Sequence, residues 1–142
     1  MKRNLLLNDN RGFSLIEIMV VMIIIGLLAS FIGPQLFGKL GKAKQTTAKA
    51  QIEMLMAALD AYRLDVGKYP SQQEGLEALV RDPGESDWTG PYLTKAKVPV
   101  DPWKNPYLYR NPGQNAEVEI SSLGNDNKDG GDGEDGDVNS WD

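Results

Sequence analysis

The 142-residue sequence contains neither cysteine nor histidine. The first absence removes disulfides, thiol nucleophiles and cysteine-based metal sites. The second removes the commonest general base near neutral pH. A serine–lysine or two-carboxylate mechanism is the formal enzymatic option that is left, but no paired spacing of those residues occurs, so an enzyme is not expected. Basic clusters are also missing. From Gly124 onward seven acids and one lysine give a net charge of −6, against −5 for the whole chain, so residues 1–123 carry about +1. The acidity belongs to the tail, and nucleic acid finds no basic patch to bind.

At this length the chain has room for one compact domain and an appendage. The appendage is at the N-terminus. Residues 13–33, from Phe13 to Gly33, are apolar apart from Ser14, Glu17 and Ser30. A helix needs about 20 residues to cross a hydrocarbon core of ~30 Å, so this run reads as a membrane span. It is too long for the apolar core of a secretory signal peptide. Lys2, Arg3 and Arg11 precede it against the single acid Asp9, which places the N-terminus in the cytoplasm and the remaining chain across the membrane. A plain anchor does not account for Glu17, since a carboxylate costs ~2.5–3.5 kcal/mol near the bilayer centre and less towards the interface.

Arg11-Gly12-Phe13-Ser14-Leu15-Ile16-Glu17 resembles the cleavage motif of type IV prepilins and type II secretion pseudopilins. The resemblance implies that residues 1–12 are a prepilin leader and that a prepilin peptidase cuts between Gly12 and Phe13. It also implies N-methylation of Phe13 and recruitment of a neighbouring subunit's new amine by Glu17. Cleavage would put an ammonium four residues before Glu17, on the same face if both are helical. Such a buried pair sets register better than it adds stability.

Pro34 follows the span, and a kink or local melting is expected there, with tolerated irregularity as the alternative. Beyond it, Ala48, Ile52, Leu55, Leu59, Tyr62 and Val66 recur at helical spacing. Residues 35–66 therefore read as an amphipathic helix, expected to pack on a head domain rather than on a partner helix. A continuous helix from Phe13 to Val66 would run to about 80 Å. Gly67 and Pro70 end it. Ser71 and Glu74 have capping-box spacing ahead of Leu76, Ala78, Leu79 and Val80, which predicts a second, short helix.

A turn-rich loop over 81–97 follows, then two strands, Tyr107–Arg110 and Glu117–Leu123, joined by Asn111-Pro112-Gly113. In the second strand Val118 and Ile120 alternate with Glu117, Glu119 and Ser121, which puts the acids outside. Trp103, Tyr107 and Tyr109 are read as core under the sheet rather than as a sugar platform. The fold class is α+β, with a long N-terminal helix that is transmembrane and then amphipathic, and a small head of short helix and antiparallel sheet over residues 67–142.

Asp65-Val66-Gly67-Lys68-Tyr69-Pro70, Gly75-Leu76-Glu77-Ala78-Leu79, Val98-Pro99-Val100-Asp101-Pro102-Trp103, Asn105-Pro106-Tyr107 and Ser122-Leu123-Gly124 are similar to segments of the major pseudopilins of type II secretion. The cysteine-closed loop of ordinary type IV pilins is absent. The resemblance implies a pilin-like fold and a homopolymer that forms a periplasmic pseudopilus promoting export of folded proteins. The implied partners are minor pseudopilins, an inner-membrane assembly platform with its ATPase, and membrane lipid. A type IV pilus or competence-filament subunit is the alternative, and a monomeric tethered calcium-binding module a third class.

Residues 123–138 alternate acids with glycines, which offers oxygen ligands to a hard cation or else a solvated, disordered tail. The EF-hand pattern fails, because Gly136 stands where the bidentate Glu belongs. The family resemblance implies one structural Ca²⁺, held by the Asp126 side chain, main-chain oxygens of Leu123 and Lys128, and one or both of Asp135 and Asp137.

Overall fold

The computed structural model describes residues 12–142. The leader expected over residues 1–12 lies outside these apart from Gly12. The chain divides into two units between Phe37 and Gly38, a few residues beyond the boundary expected at Pro34. The reason is that helix α1, Leu15–Val66, is unbroken across Pro34. The expected melting there does not occur; one missing hydrogen bond is absorbed in a helix of 52 residues.

In the first unit the apolar side chains are exposed around the full helix circumference. Twelve large ones between Leu15 and Leu28 are uncovered. Burying such side chains is worth ~1.5–3 kcal/mol each, so leaving them in water costs on the order of 20 kcal/mol, more than a typical domain's whole stability. This helix is long and apolar enough to cross a membrane.

In the second unit the expected stripe is the floor of the core. Ala48, Ile52, Leu55, Leu59 and Tyr62 are at most 1% exposed, and Ala58 joins them. The Gly67 N–H bonds the Arg63 carbonyl at 2.7 Å, and Gly67 has φ +86°, the left-handed cap that stops α1. Ser71 and Glu74 form the reciprocal capping box: the Glu74 N–H donates to Ser71 Oγ at 3.2 Å and the Ser71 N–H to Glu74 Oε2 at 2.7 Å. The expected short helix is nevertheless a single turn and then a 3-10 helix, Gly75–Leu79. Gly75 has φ +60°, so the chain leaves the α-helical path immediately after the box closes.

The loop over 81–97 is docked by aromatic contacts. Tyr92 meets Tyr62 and Trp88 edge-on, with ring centroids 5.7 and 5.8 Å away, and Trp88 Nε1 donates to the Ala78 carbonyl at 2.8 Å. Tyr92 and Thr89 both donate to Asp65, holding its carboxyl below the usual range.

Three antiparallel strands follow in the order β1, β2, β3: β1 Leu108–Arg110, β2 Glu119–Ser122 and β3 Val138–Asn139. Tyr109 is opposite Ile120, and Ser122 opposite Val138. Tyr107 and Tyr109 are core residues, as expected, and Trp103 packs against that core. Burial pushes the Tyr62 and Tyr109 hydroxyls up to about 12.

Two expectations fail in the sheet. Strand β3 was not expected at all, and Glu119 is 2% exposed instead of facing solvent. Its Oε1 accepts the N–H groups of Gln114, Asn115 and Ala116, with Arg110 at 3.8 Å from Oε2, so the inward acid is the anchor of the β1–β2 connection. Asp101 does the same for the turn before β1, accepting the N–H groups of Trp103 and Asn105 on Oδ1 and the Ser122 hydroxyl on Oδ2 at 2.6 Å.

The N–H donors hold the Glu119 carboxyl below its ordinary value. Its contribution to stability is therefore complete above the ordinary glutamate range and lost as pH falls through the lowered folded-state pKa. Glu119→Gln is expected to flatten the acid limb of the head's stability profile, read as urea midpoint against pH between 3 and 6 in approximate units of ~1 pH. An unchanged acid limb in the variant would show that Glu119 is not the group that titrates.

Candidate functional site

The start of α1 is built by Ser14. Gly12, Phe13 and Ser14 are non-helical and exposed, and the helix begins at Leu15 rather than at Phe13. Ser14 is the reason: its carbonyl accepts the N–H groups of Glu17 and Ile18 at 3.1 and 3.2 Å, and its Oγ accepts the Glu17 N–H at 3.2 Å. The Ile18 bond is the first of the helix, and the Glu17 N–H, otherwise an orphan donor of the first turn, is satisfied by the N-cap serine. The Gly12–Phe13 bond thus lies outside the helix and is exposed. The i, i+4 relation of Phe13 to Glu17 is not imposed by helix geometry in this form of the chain.

Sequence reasoning passed over Ser14. The signal was present, because Ser14-x-x-Glu17 has the same spacing that identified Ser71 and Glu74. Glu17 occupies the first turn, where the helix dipole favours a carboxylate by ~0.3–1 kcal/mol. That is less than the ~2.5–3.5 kcal/mol cost of an acid at the bilayer centre, so the first-turn position accounts for Glu17 only near the interface.

The acidic segment is folded. Asn125 N–H donates to the Glu134 carbonyl at 2.9 Å and its side-chain amide to Asp135 Oδ1 at 3.2 Å. Asp126 Oδ1 accepts the Lys128 N–H at 3.1 Å, and Asp137 Oδ2 accepts the Gly130 N–H at 2.9 Å. A short 3-10 turn, Gly133–Asp135, is tied to α1 by Gln45, whose amide donates to the Gly133 carbonyl. Gly41 receives Glu134: a Cβ there would lie 2.7 Å from Glu134 Oε1, so any larger residue must displace the Glu134 side chain.

Asp126, Asp135 and Asp137 therefore belong to one ordered loop that Leu123 enters and Lys128 crosses. They do not converge, since among the described residues no three acidic side chains share a metal-sized site. Each takes its own hydrogen-bond donor, as like charges should when only N–H groups are at hand. One oxygen is left over. Asp137 Oδ1 is buried with no donor, an arrangement that is costly for a carboxylate unless a cation meets it.

A capped start on an apolar helix that runs on into a small antiparallel head defines a pilin-like subunit. A family model described as type II secretion system protein G matches residues 35–141, and one described as a prokaryotic N-terminal methylation motif matches residues 7–33. The type II secretion system core protein G of Pseudomonas aeruginosa is 47% identical over 135 residues, spanning 92% of this chain and 94% of its own. That of Vibrio cholerae is 42% identical, spanning 92% and 90%. The crystal structure of the major pseudopilin from the type 2 secretion system of enterohaemorrhagic Escherichia coli superposes with a TM-score of 0.63 at 32% identity, covering 76% of this chain and 95% of that one. The chain belongs to the type II secretion system protein G family, the major pseudopilins. It is a structural subunit and not an enzyme.

Ser14→Ala is expected to weaken the first turn by about 0.5–2 kcal/mol, while Ser14→Asp keeps the cap. Amide exchange at Glu17 and Ile18 in detergent micelles should quicken by roughly tenfold in the first variant only. Equal exchange in all three proteins would remove Ser14 as the cap.

Proposed function

We propose that this major pseudopilin is cut between Gly12 and Phe13, N-methylated on Phe13, and polymerised into a periplasmic pseudopilus that promotes export of folded proteins across the outer membrane. The observation that carries this is the exposed apolar length of α1, which begins one residue after a capping serine and holds Glu17 in its first turn. In this reading the N-terminus is cytoplasmic, the span sits in the inner membrane and the head is periplasmic. Lys2, Arg3 and Arg11 supply the orienting charge. The prepilin peptidase makes the cut, and the new Phe13 ammonium and Glu17 fix the axial register between copies. Minor pseudopilins and an assembly platform with its ATPase complete the machinery, and ATP hydrolysis belongs to that partner.

The acidic loop is read as a structural Ca²⁺ site. Asp137 is the anchor because its buried Oδ1 lacks a donor, with Asp126 and Asp135 side chains and the main-chain oxygens of Leu123 and Lys128 completing the set. The cation supplies positive charge among six acids between Asp126 and Asp137 that otherwise face a single lysine.

Gly12→Val should leave the leader attached, by intact-mass measurement, and abolish exoprotein release. Release at the normal level from the uncut protein would overturn the assembly reading, and a surface pilus with no effect on release would favour the type IV pilus alternative. For the loop, Ca²⁺ at 100 times its Kd would add about 2.7 kcal/mol, so chelation should lower the head's melting temperature by ~10 °C. Asp137→Asn should abolish that difference; a melting curve indifferent to EDTA removes the cation.

A further inference from the structure

The charges that flank the membrane-spanning stretch are distributed in an unusual way. Between Glu17 and Lys39 lie 21 residues without a charge, a length of about 32 Å as helix, matching a hydrocarbon core of ~30 Å. Past that stretch the first charges are all basic: Lys39, Lys42 and Lys44, with no acid anywhere between Glu17 and Glu53. The three lysines fall within six residues, about 8 Å of helix rise from the first to the last, which is the depth of one headgroup layer.

Lys39 and Lys42 are exposed and Lys44 half-exposed, and none of the three takes part in a salt bridge among the described residues. Lys49, in the next turn, is held to the head, with its Nζ 3.4 Å from an Asp142 oxygen; Lys42 borders the same cleft beside Asp137 and Asp142 but forms no ion pair there among the described residues. At 100° per residue Lys39 and Lys42 lie on neighbouring sides of α1, with Lys44 on the other, so the three form a collar around the helix rather than a stripe along it. A collar at one depth fits a planar array of anions. It does not fit a single partner helix, which would contact one side only.

We propose that Lys39, Lys42 and Lys44 bind anionic phospholipid headgroups of the leaflet that faces the head, fixing how deep the subunit sits in the bilayer before it polymerises. The inference rests on the membrane reading of α1. Its occupant is the lipid phosphate. A second copy's acidic loop, which carries the right charge, is the competing occupant that the test separates.

Each basic residue near an anionic surface is worth about fivefold in affinity, so the collar should prefer phosphatidylglycerol over phosphatidylcholine on the order of tenfold or more. The full chain is reconstituted in nanodiscs containing equal amounts of both lipids, and the lipids retained on the released protein are counted by native mass spectrometry. Wild-type protein should retain phosphatidylglycerol preferentially, K39Q/K42Q/K44Q should approach parity, and the head-surface control K95Q/K97Q should keep the preference. Because the triple variant retains Lys2, Arg3 and Arg11, a preference that survives in it belongs to the leader and overturns the proposal. Parity in the wild type also overturns it and leaves a second copy's acidic loop as the occupant of the three lysines. A protein that fails to float with vesicles of either composition instead defeats the membrane reading itself, and this inference with it.

Discussion

The sheet of the head has strands of three, four and two residues, too short to bury a core between themselves, so the apolar face of α1 has to supply the floor. Ile52, Leu55, Leu59 and Tyr62 do this from a single helix, and the remaining core residues are brought to them by loops. One consequence is that the head has no core that is independent of its stalk helix. Any force applied along α1 acts directly on the residues that hold the head together.

Loops of this length need something other than strand ladders to satisfy their backbone, and here acids take that role. Asp101 gathers the turn before β1, Glu119 the β1–β2 connection, and Asp65 the loop over 81–97 through Thr89 and Tyr92. In each case a carboxylate accepts two or three donors, which are the stronger, charge-assisted kind. This explains why Asp101, quoted above only as part of a family-like segment, is 2% exposed: it is a structural centre and not a surface charge.

The helix, its stop at Gly67, the capping box at Ser71 and the core stripe were legible in the sequence because each rests on spacing within one turn or two. What failed depended on partners distant in the chain. Glu119 alternates correctly with Val118 and Ile120, and nothing local indicates that residues 114–116 fold back to meet it. Strand β3 is two residues long and sits in an acidic, glycine-rich segment whose composition argues for loop; its pairing is set by Ser121 and Ser122 opposite. The short helix is 3-10 rather than α because Gly75, at its start, takes a left-handed conformation, which permissive glycine can adopt but does not announce. At the start of α1 the Ser14-x-x-Glu17 spacing lay within one turn and was open to reading, whereas the separate hydrogen bonds of Asp126, Asp135 and Asp137 required coordinates.

The acidic loop and the stalk are also not independent. Glu134 lies in the space left by the missing side chain of Gly41, and Gln45 one turn on donates to Gly133, so the loop rests on the stretch of α1 that carries the lysine collar. A change in how the loop closes around Asp137 must either move these two contacts or be resisted by them. Because Gly41 lies between Lys39 and Lys42, the contacts that seat the loop and the lysines proposed to meet lipid share one short stretch of α1.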